Sequence, residues 1–594
     1  MLEREQWFIK NRRGDVGALS RRLGVSRHLA GLLIGRSVGD AARAREFLEP
    51  DVGLLHDAAQ LMDMDRALEI LARAAASGTK VLVIGDYDVD GIMGILILCA
   101  AFGKAFPEVS HYIPHRVDDG YGINEKIVEN AHRDGVGLIV TCDNGISAHE
   151  SVRLAVEYGI EVVITDHHDV PLEDSGVDAE GYGIPAAHAV VDPKRPDCPY
   201  PFKGLCGAAV AYKLAIAFLA HMAIEISPEE RDELFCFAAI ATVCDIVELV
   251  DENRRIVYHG LKLLNAGVRN AGLFELIDVC GLARKELTSY GIGHILGPCI
   301  NAAGRLDSAE LSYRLFAERD HAAAREIAIS LLELNRKRQE ITSEALEAAI
   351  RAIEEQRLFE DSVVVLYMPR THESISGIVA GKLKDKYARP VIVLTDSKDG
   401  LLKGSGRSVD GYNLLEGVSR VRGLLHKFGG HSMAVGISVC REALPELRLE
   451  LNRKCGIASG DLVPKEVVDL CVNAEEVSFG LICDVRRLEP FGRGNLKPLF
   501  ALRGVTLESA VLIGSRRSVI RMRLRSVRDR YMEAVFFGEV GVFAKVLGLT
   551  ALEDGTLVAA DIPGGAQGEP GPHQSSPHQS NPHQSGPQQP GPQQ

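Results

Sequence analysis

Three carboxylates lie close together in the segment IGDYDVDGI at 84–92, directly after an apolar run. They are Asp86, Asp88 and Asp90, and they repel one another unless a cation neutralises them. Alternate residues of an extended loop point the same way, so we predict that Asp88 and Asp90 face a catalytic metal. A solvated acidic turn or a calcium loop is the alternative, but the twelfth position counted from Asp86 is Ile97 rather than glutamate.

Two further motifs repeat this arrangement, and a fourth acid follows them. GLIVTCDNG places Asp143 after a second apolar run, and EVVITDHH places Asp166, His167 and His168 after a third. Asp245 lies in the apolar segment FAAIATVCDIVEL, where a buried carboxylate needs a partner. Each acid alone could cap a helix. Together, carboxylate and imidazole ligands suit Mn²⁺ or a similar ion.

A parallel sheet would bring these motifs together, because its strands present their carboxyl ends at one edge. Short apolar runs alternate with helical segments, which favours a mostly parallel sheet covered on both faces. The predicted strands are 81–84, 137–142, 161–166 and 189–192.

The wider chain divides into six predicted segments. No Gly or Pro occurs between Ala322 and Gln356, which predicts one long helix bridging two α/β domains. The PHQS repeats near the end cannot form a core. The segments are an N-terminal helical extension (1–75), a parallel-sheet catalytic domain with a mainly helical part from 206 (76–320), a connecting helix (321–357), a second α/β domain (358–460), a small OB-like β-barrel (461–560) and a disordered tail (561–594).

Several cationic side chains are candidates for contacting phosphate. Glycines let the backbone approach a phosphate that the cations neutralise. In the β-rich part, alternating arginines indicate a basic strand face that could grip a single strand, although a charge-protected edge strand would look similar. The candidates are Arg116, Arg305, Lys403, Arg407 and His431 near Gly-rich segments, and Arg521, Arg523 and Arg525 in the β-rich part.

Composition excludes several classes of protein. The net charge of −14 argues against a passive DNA coat but not against a nuclease whose site is acidic. None of the 12 cysteines forms a CxxC pair, which argues against a zinc ribbon or a disulfide framework. No run of signal-peptide or membrane-spanning type occurs, so we expect a cytoplasmic protein.

The motifs GDYDVDG, DNG and DHH, with the later Asp245, resemble the four motifs of the DHH phosphoesterase superfamily, in the order and spacing of its RecJ branch. The resemblance covers roughly 60–550, and its GGH element resembles the DHH-associated, substrate-binding domain. Further matching segments are DDGYGIN (118–124), GPCINAAGRLD (297–307), HESISGIVAGKL (372–383), KGSGRS (403–408), FGGHSMAVG (428–436) and EPFGRGN (489–495).

The resemblance implies a role for each residue of the site. Two divalent ions, Mn²⁺ or Mg²⁺, would share Asp143, with Asp88 on one ion. The upstream histidine usual in the superfamily would fall near Ile84 and is absent, so Asp86 is a further candidate ligand. The other implied roles are ligation of the second ion by Asp90, His167 and Asp245, and contact with substrate by His168 and His372.

The sequence departs from the family pattern at positions other than the metal ligands. Cys299 stands where relatives usually have arginine, which removes an expected phosphate contact. Thr371 and Ser374 replace the usual Trp and Gly around His372, and Met93 replaces a usual Thr or Ser.

The resemblance implies a monomeric single-stranded-DNA-specific 5′→3′ exonuclease of DNA repair and recombination. Expected partners are single-stranded DNA, single-strand binding protein and a RecQ-type helicase, with no membrane. One alternative is another DHH phosphodiesterase acting on short oligonucleotides, cyclic dinucleotides or pyrophosphate, but those enzymes generally lack the β unit at 467–549. Another is a non-catalytic RecJ-like scaffold, which the complete set of ligand residues disfavours.

Overall fold

The computed structural model describes residues 6–116, 118–171, 183–457, 462, 465–515, 517–538, 540–552 and 555–559. The predicted tail therefore lies outside the described residues. The described residues form two units, a larger one within 6–504 and a smaller one within 505–559. In the part of the chain that is described, no helix is both long and apolar enough to cross a membrane.

The N-terminal segment, predicted to be helical, also contains a strand. Its elements are β1 (Gln6–Ile9), α1 (Val16–Leu23), α2 (Arg27–Gly35), α3 (Ala41–Leu48) and α4 (Met64–Ala76). The last of these helices packs against the catalytic domain that follows, whereas the first three belong to a different core described below.

A five-stranded parallel sheet forms the predicted catalytic domain. Its order is β3-β2-β4-β5-β6, and its helices pack in separate cores on the two faces. Four strands match the predictions, whereas the edge strand β3 was not predicted, since its short run VSHY is only partly apolar and half-buried. The elements are β2 (Val81–Ile84), α5 (Val89–Phe102), β3 (Val109–Tyr112), α6 (Glu125–Arg133), β4 (Leu138–Cys142), α7 (His149–Glu157), β5 (Glu161–Thr165) and β6 (Ala189–Val191).

The residues after the sheet are mainly helical, as predicted. They cover one face of the sheet and extend its core. The helices are α8 (Gly207–His221), α9 (Pro228–Cys244), α10 (Asp251–Ala266), α11 (Ala271–Val279), α12 (Ser289–Gly291), α13 (Gly297–Leu306) and α14 (Glu310–Ala317), with a π-helical turn at Ile292–Leu296.

The long connecting helix is present as α15 (His321–Glu355), 35 residues in length. Ala328 and Leu331 in its first half belong to the core of the catalytic domain. Ala349 and Ile353 in its second half belong to a core of the next domain. The helix therefore joins two domains, as its composition predicts.

The second α/β domain contains a mixed sheet of order β10-β11-β9-β8-β7, in which β7 and β8 are parallel. The segment KGSGRS, predicted as a Gly-rich phosphate element, is a strand and not a loop. A Cβ at Gly404 would lie 1.9 Å from the carbonyl oxygen of Val393, so the close strand pairing requires glycine there. The elements are β7 (Val364–Tyr367), α16 (Ser376–Tyr387), β8 (Val391–Asp396), β9 (Leu402–Arg407), α17 (Leu414–Ser419), β10 (Leu425–His431), β11 (Ala434–Val439) and α18 (Leu444–Lys454).

The residues that follow the boundary predicted at 461 pack with the N-terminal segment of the chain. Residues 465–503 belong to the larger unit, where β12 pairs with β1 and β13 pairs with β14, both in parallel. Leu470 and Leu488 share one core with Leu29 and Leu33 of the N-terminal helices. A local sequence pattern cannot reveal that β1 pairs with β12, because more than 400 residues separate the two strands. The elements are β12 (Lys465–Val468), β13 (Leu470–Asn473), α19 (Phe479–Arg486) and β14 (Phe500–Arg503).

The smaller unit contains the predicted OB-like sheet. It is a five-stranded antiparallel sheet of order β17-β16-β15-β19-β18, with a core that includes Ala510, Ile520, Ala544 and Leu557. The elements are β15 (Val505–Ile513), β16 (Val519–Ser526), β17 (Tyr531–Phe537), α20 (Val540–Val546), β18 (Leu549–Ala551) and β19 (Thr556–Ala559). An α/β fold followed by an OB-like unit is confirmed.

Candidate metal centre

The first acidic motif lies where β2 ends and α5 begins. Asp88 is the N-cap of α5, and its Oδ1 accepts hydrogen bonds from the backbone N–H of Asp90 and Gly91 at 3.0 and 3.3 Å. Asp90 lies in the first helical turn. The expected extended loop with alternating side chains is therefore wrong, although both carboxylates belong to the acidic cluster described below.

Asp90 is held by the start of α8. Its Oδ2 accepts from the N–H of Gly207 at 2.6 Å and its Oδ1 from the N–H of Ala208 at 2.8 Å. A Cβ at Gly207 would lie 2.6 Å from the Cβ of Asp143, so glycine lets the helix end approach. The unpaired N–H groups at the helix N-terminus stabilise the carboxylate.

Asp143, His167 and Asp245 meet Asp90 at the carboxyl ends of the strands. Nε2 of His167 lies 3.0 Å from Oδ1 of Asp143, 3.6 Å from Oδ2 of Asp90 and 3.8 Å from Oδ2 of Asp245. The convergence expected from strand-end positions is present. Three groups have ligand atoms within 4.8 Å of one another: Asp86 with Asp88 and Asp143, Asp90 with His167 and Asp245, and Asp143 with His167 and His168.

The cluster is electrostatically suited to divalent cations. Burial, and then the neighbouring carboxylates, raise the pKa of Asp86 and Asp143 well above the usual range, and raise the pKa of Asp90 to about 6. Asp245 follows the C-terminus of α9, where the helix dipole disfavours a negative charge. Oδ1 of Asp86 is buried and has no hydrogen-bond donor in the described structure.

His167 completes the fit as a neutral ligand. Burial, and then the charge of His168, lower the pKa of His167 to about 3, so its ring is uncharged at neutral pH. An oxygen-rich donor set with one imidazole is one that Mn²⁺ or Mg²⁺ accepts. When bound, such ions supply Lewis-acid activation of a phosphate and of the attacking water.

Asp166 holds His168 beside the metal centre. This role of Asp166 was not predicted, although Asp166 follows a strand in the same way as the predicted ligand Asp143. Oδ1 of Asp166 accepts from the N–H of His167 at 2.7 Å and lies 2.7 Å from Nδ1 of His168. Although burial opposes it, this partner raises the pKa of His168 to about 9. Tyr121 donates to the carbonyl oxygen of Asp143 at 2.7 Å, and its hydroxyl lies 3.2 Å from Nε2 of His168.

A cavity of about 520 Å³ begins at Tyr121 and is lined by residues of both α/β domains. Tyr121 thus belongs both to the metal centre and to the cavity. The cavity brings together four of the predicted cationic residues, whereas His372 and His431 do not line it. The lining residues that the argument uses are Tyr87, Tyr121, Arg116, Arg305, Lys403 and Arg407.

Three arginines of this wall have no carboxylate within ion-pair distance in the part of the chain that is described. Arg116 lies over the ring of Tyr87 at 4.1 Å, Arg305 donates to the carbonyl oxygen of Ser374 at 3.0 Å, and Arg407 donates to Oγ of Ser405 at 2.9 Å. Burial, and then Arg116, lower the pKa of Arg407. Unneutralised, half-buried cations indicate an anion-binding wall.

In the smaller unit, the predicted arginines occupy one face of β16. Their register places Arg521 opposite Val535 and Arg523 opposite Glu533, while Ile520 and Met522 face the small core. Arg525 is already paired with Glu508 and Asp529. Arg521 and Arg523 are therefore more readily available to bind an anion than Arg525.

Comparison with known proteins gives matches over most of the chain. Residues 80–241 match the DHH family, N-terminal domain, residues 360–456 the DHHA1 domain, and residues 468–551 the RecJ OB domain. The single-stranded-DNA-specific exonuclease RecJ of Escherichia coli is 34% identical over 483 residues, 77% of this chain and 81% of that protein. RecJ of Bacillus subtilis is 35% identical over 530 residues, 89% of this chain but 65% of that protein, so the chain spans about two thirds of that relative.

Solved structures give the same result. The crystal structure of Thermus thermophilus RecJ in complex with Mn²⁺ has a TM-score of 0.74 and 25% identity, covering 94% of this chain and 79% of that one. An exonuclease RecJ bound to manganese has a TM-score of 0.56 and 29% identity, covering 68% of this chain and 96% of that one.

Proposed function

This chain belongs to the RecJ family of single-stranded-DNA-specific exonucleases, and from that premise we propose that it hydrolyses single-stranded DNA from the 5′ end with two Mn²⁺ or Mg²⁺ ions. The observation that carries the proposal is that a cluster of metal ligands and a cationic cavity lie next to each other. A full set of metal ligands adjoins a cavity whose arginines lack carboxylate partners among the described residues. Such a pair of surfaces suits a polyanion whose phosphate must reach a metal centre.

The chain's own residues divide the work. Asp88 and Asp143 would hold one ion, while Asp90, His167 and Asp245 would hold the other, with Asp143 between them. His168, which Asp166 holds, would donate a hydrogen bond to an oxygen of the scissile phosphate. The arginines of the cavity wall would neutralise the neighbouring phosphates.

We assign the polarity to the cavity wall. A metal centre hydrolyses phosphodiesters without regard to the end of the strand, so contacts around it must fix the direction. Arg407 and Lys403 lie on β9 of the second α/β domain and line the same cavity as Arg116 and Arg305 of the catalytic domain. A terminal 5′ phosphate held by Arg407 would place the first phosphodiester beside the acidic cluster. His431 at the end of β10 and His372 are both exposed and do not line the cavity, so they are weaker candidates than the arginines.

Two other functions are less well supported. Phosphodiesterases for cyclic dinucleotides or very short oligonucleotides do not account for the match to the RecJ OB domain. A non-catalytic scaffold does not account for five competent ligand residues in one cluster. Single-strand binding protein, a RecQ-type helicase, the monomeric state and the cytoplasmic location stay predictions.

The test is a digestion series with Mn²⁺ on three substrates of equal sequence. They are 5′-labelled single-stranded DNA, 3′-labelled single-stranded DNA and blunt duplex DNA. We expect immediate release of labelled mononucleotide from the 5′-labelled strand, late release from the 3′-labelled strand, and little from the duplex. Early release of the 3′ label would contradict the polarity, and equal rates on duplex would contradict the strand preference.

A further inference from the structure

Two cysteines that the function proposed above does not use lie in contact with each other. Cys280 is the C-cap of α11, and Cys299 lies in the first turn of α13. Their Sγ atoms are 3.8 Å apart, close enough for a hydrogen bond between thiols. Cys299 is buried, whereas Cys280 is only partly buried. The pair therefore joins a protected thiol to one that a small solute reaches.

A polar network surrounds the sulfur of Cys299. Nε and Nη2 of Arg338 donate to Oδ1 of Asn335 at 3.1 and 2.8 Å. Because a guanidinium can only donate, these bonds fix the amide and direct its Nδ2 towards Sγ of Cys299, 3.3 Å away. That sulfur therefore accepts hydrogen bonds from the amide and from the thiol of Cys280. Hydrogen bonds to the charged form favour it, so the network stabilises a thiolate at Cys299.

Another buried cysteine of the same domain shows what packing alone does. Cys236 lies in the apolar core, and burial raises its pKa to about 12. The thiol of Cys280, and then the polar network on α15, instead lower the pKa of Cys299 although burial opposes them. A cysteine that serves only as a small apolar side chain needs no such donors.

Helix α13 also supports the first acidic motif. Oδ1 of Asn301 accepts from the N–H of Val89, between two of the proposed metal ligands, at 3.1 Å. A Cβ at Gly304 would lie 2.5 Å from the carbonyl oxygen of Tyr87, so the helix packs directly against this turn. Cys299 precedes Asn301 by two residues in the same helix. A displacement of Cys299 would therefore reach the turn that carries the acids.

We propose that Cys280 and Cys299 form a reversible disulfide in the presence of a peroxide, and that this modification lowers the nuclease activity through α13. The disulfide requires the two Sγ atoms to approach from 3.8 Å to about 2.05 Å. Cys280, at a helix end, and Cys299, within α13, would share this movement. The inference rests on the proposed function, because the activity that it regulates is the hydrolysis of DNA.

The oxidation takes place in two steps that balance. Peroxide transfers one oxygen atom to the accessible sulfur of Cys280, which becomes a sulfenic acid, and one water is released. The thiolate of Cys299 then attacks this sulfur, the S–S bond forms, and the S–O bond breaks. The leaving hydroxide takes up the proton that Cys299 had lost and forms a second water. The two sulfurs lose two electrons in total, and a dithiol reductant returns them.

The experiment treats the full chain with hydrogen peroxide in the presence of chelator, removes the peroxide, and then adds Mn²⁺ and single-stranded DNA. Mass spectrometry without reductant should find one cross-linked peptide pair that contains Cys280 and Cys299 and has lost two hydrogen atoms. The rate of hydrolysis should fall about ten-fold, since a displacement of about 1 Å near reacting groups has effects of this order or larger. The Mn²⁺ concentration that gives half the maximal rate should rise, and dithiothreitol should restore both quantities.

The decisive variant is Cys280→Ser, which removes the accessible thiol and leaves α13 unchanged. Its rate before oxidation should equal that of the wild type, and its rate after oxidation should not fall. The matched control is Cys440→Ser, because Cys440 is an exposed cysteine of the second α/β domain. This variant should remain as sensitive to peroxide as the wild type. If Cys280→Ser does not fold in a thermal melt, Cys280→Ala is measured under the same criteria.

Three results would overturn the inference. They are the absence of the cross-linked peptide pair, an unchanged rate in a wild-type chain that carries the cross-link, and an equal loss of rate in oxidised Cys280→Ser. A reduced wild-type chain that does not hydrolyse single-stranded DNA would reject the proposed function instead. The cross-link is detected by mass and not by activity, so the two failures are distinguishable.

Discussion

The acidic edge of the first sheet and the cationic wall of the cavity share Tyr121 but are built in opposite ways. At the edge, burial and mutual repulsion raise the pKa of Asp143 and Asp90. At the wall, burial and mutual repulsion lower the pKa of Arg305 and Arg407. The described residues leave both sets of charge uncompensated: the first suits divalent metal ions, and we propose that DNA phosphates neutralise the second.

The largest effect should come from the acidic edge. Asp143→Ala is expected to reduce nuclease activity by about a thousand-fold or more, because it removes the carboxylate between both ion sites. Its melting temperature without metal should not fall, since a buried carboxylate among like charges destabilises the metal-free fold. The matched control is Glu129→Ala, an exposed acid on α6. If the variant kept more than a few percent of wild-type activity at saturating Mn²⁺, Asp143 would not be an essential ligand of the metal centre.

The acidic edge was easier to predict from the sequence than the cationic wall. Asp88, Asp143 and His167 each follow an apolar run, and parallel strands bring their ends together whatever the rest of the fold does. Arg116 and Arg407 meet only because α15 places two domains against each other, and no local pattern encodes that distance. The same limit explains why the pairing of β1 with β12 was missed, and why the family motif did not reveal that His372 lies outside the cavity.

The second effect should come from the cationic wall. Arg407→Ala is expected to lower hydrolysis about 10- to 100-fold on substrates of every length, because a half-buried phosphate contact near the centre is lost. Arg422→Ala is the control, an exposed arginine of the same domain. Rates would be measured on strands of 5 and 50 nucleotides. A loss confined to the long strand would show that Arg407 lies outside the terminal site.

Protons should compete with metal at the acidic edge but not at the wall. The pKa of Asp90 in the folded chain is raised to about 6, above its unfolded value. The metal-free fold therefore gains stability as pH falls through 6, whereas Mn²⁺ must displace these protons. We expect Mn²⁺ to bind at least about ten-fold more weakly at pH 5.5 than at pH 8. Thermal melts with and without Mn²⁺ would check this. An equal increase in melting temperature by Mn²⁺ at pH 5.5 and at pH 8 would show that protons do not compete with the metal.

The smallest effect should come from the arginines of β16 in the smaller unit. Arg521, Arg523 and Arg525 changed together to Ala should weaken binding of long single strands by less than about ten-fold, and spare strands of about five nucleotides. Because Arg525 is already neutralised by Glu508 and Asp529, the salt slope should fall by about two contacts rather than three.

The arginines of β16 also offer an internal control. Arg521→Ala/Arg523→Ala should match the triple variant, and Arg525→Ala alone should bind long strands as the wild type does. Binding would be titrated at several salt concentrations on strands of 5 and 50 nucleotides. An equal loss of affinity for the short and the long strand would mean that β16 contacts the 5′-terminal nucleotides. The proposal that Arg407 binds the 5′ end while β16 binds nucleotides further along the strand would then be wrong. A reduction of the salt slope by three contacts would mean that DNA displaces Glu508 and Asp529 from Arg525. The third phosphate contact would then form only after these two ion pairs break.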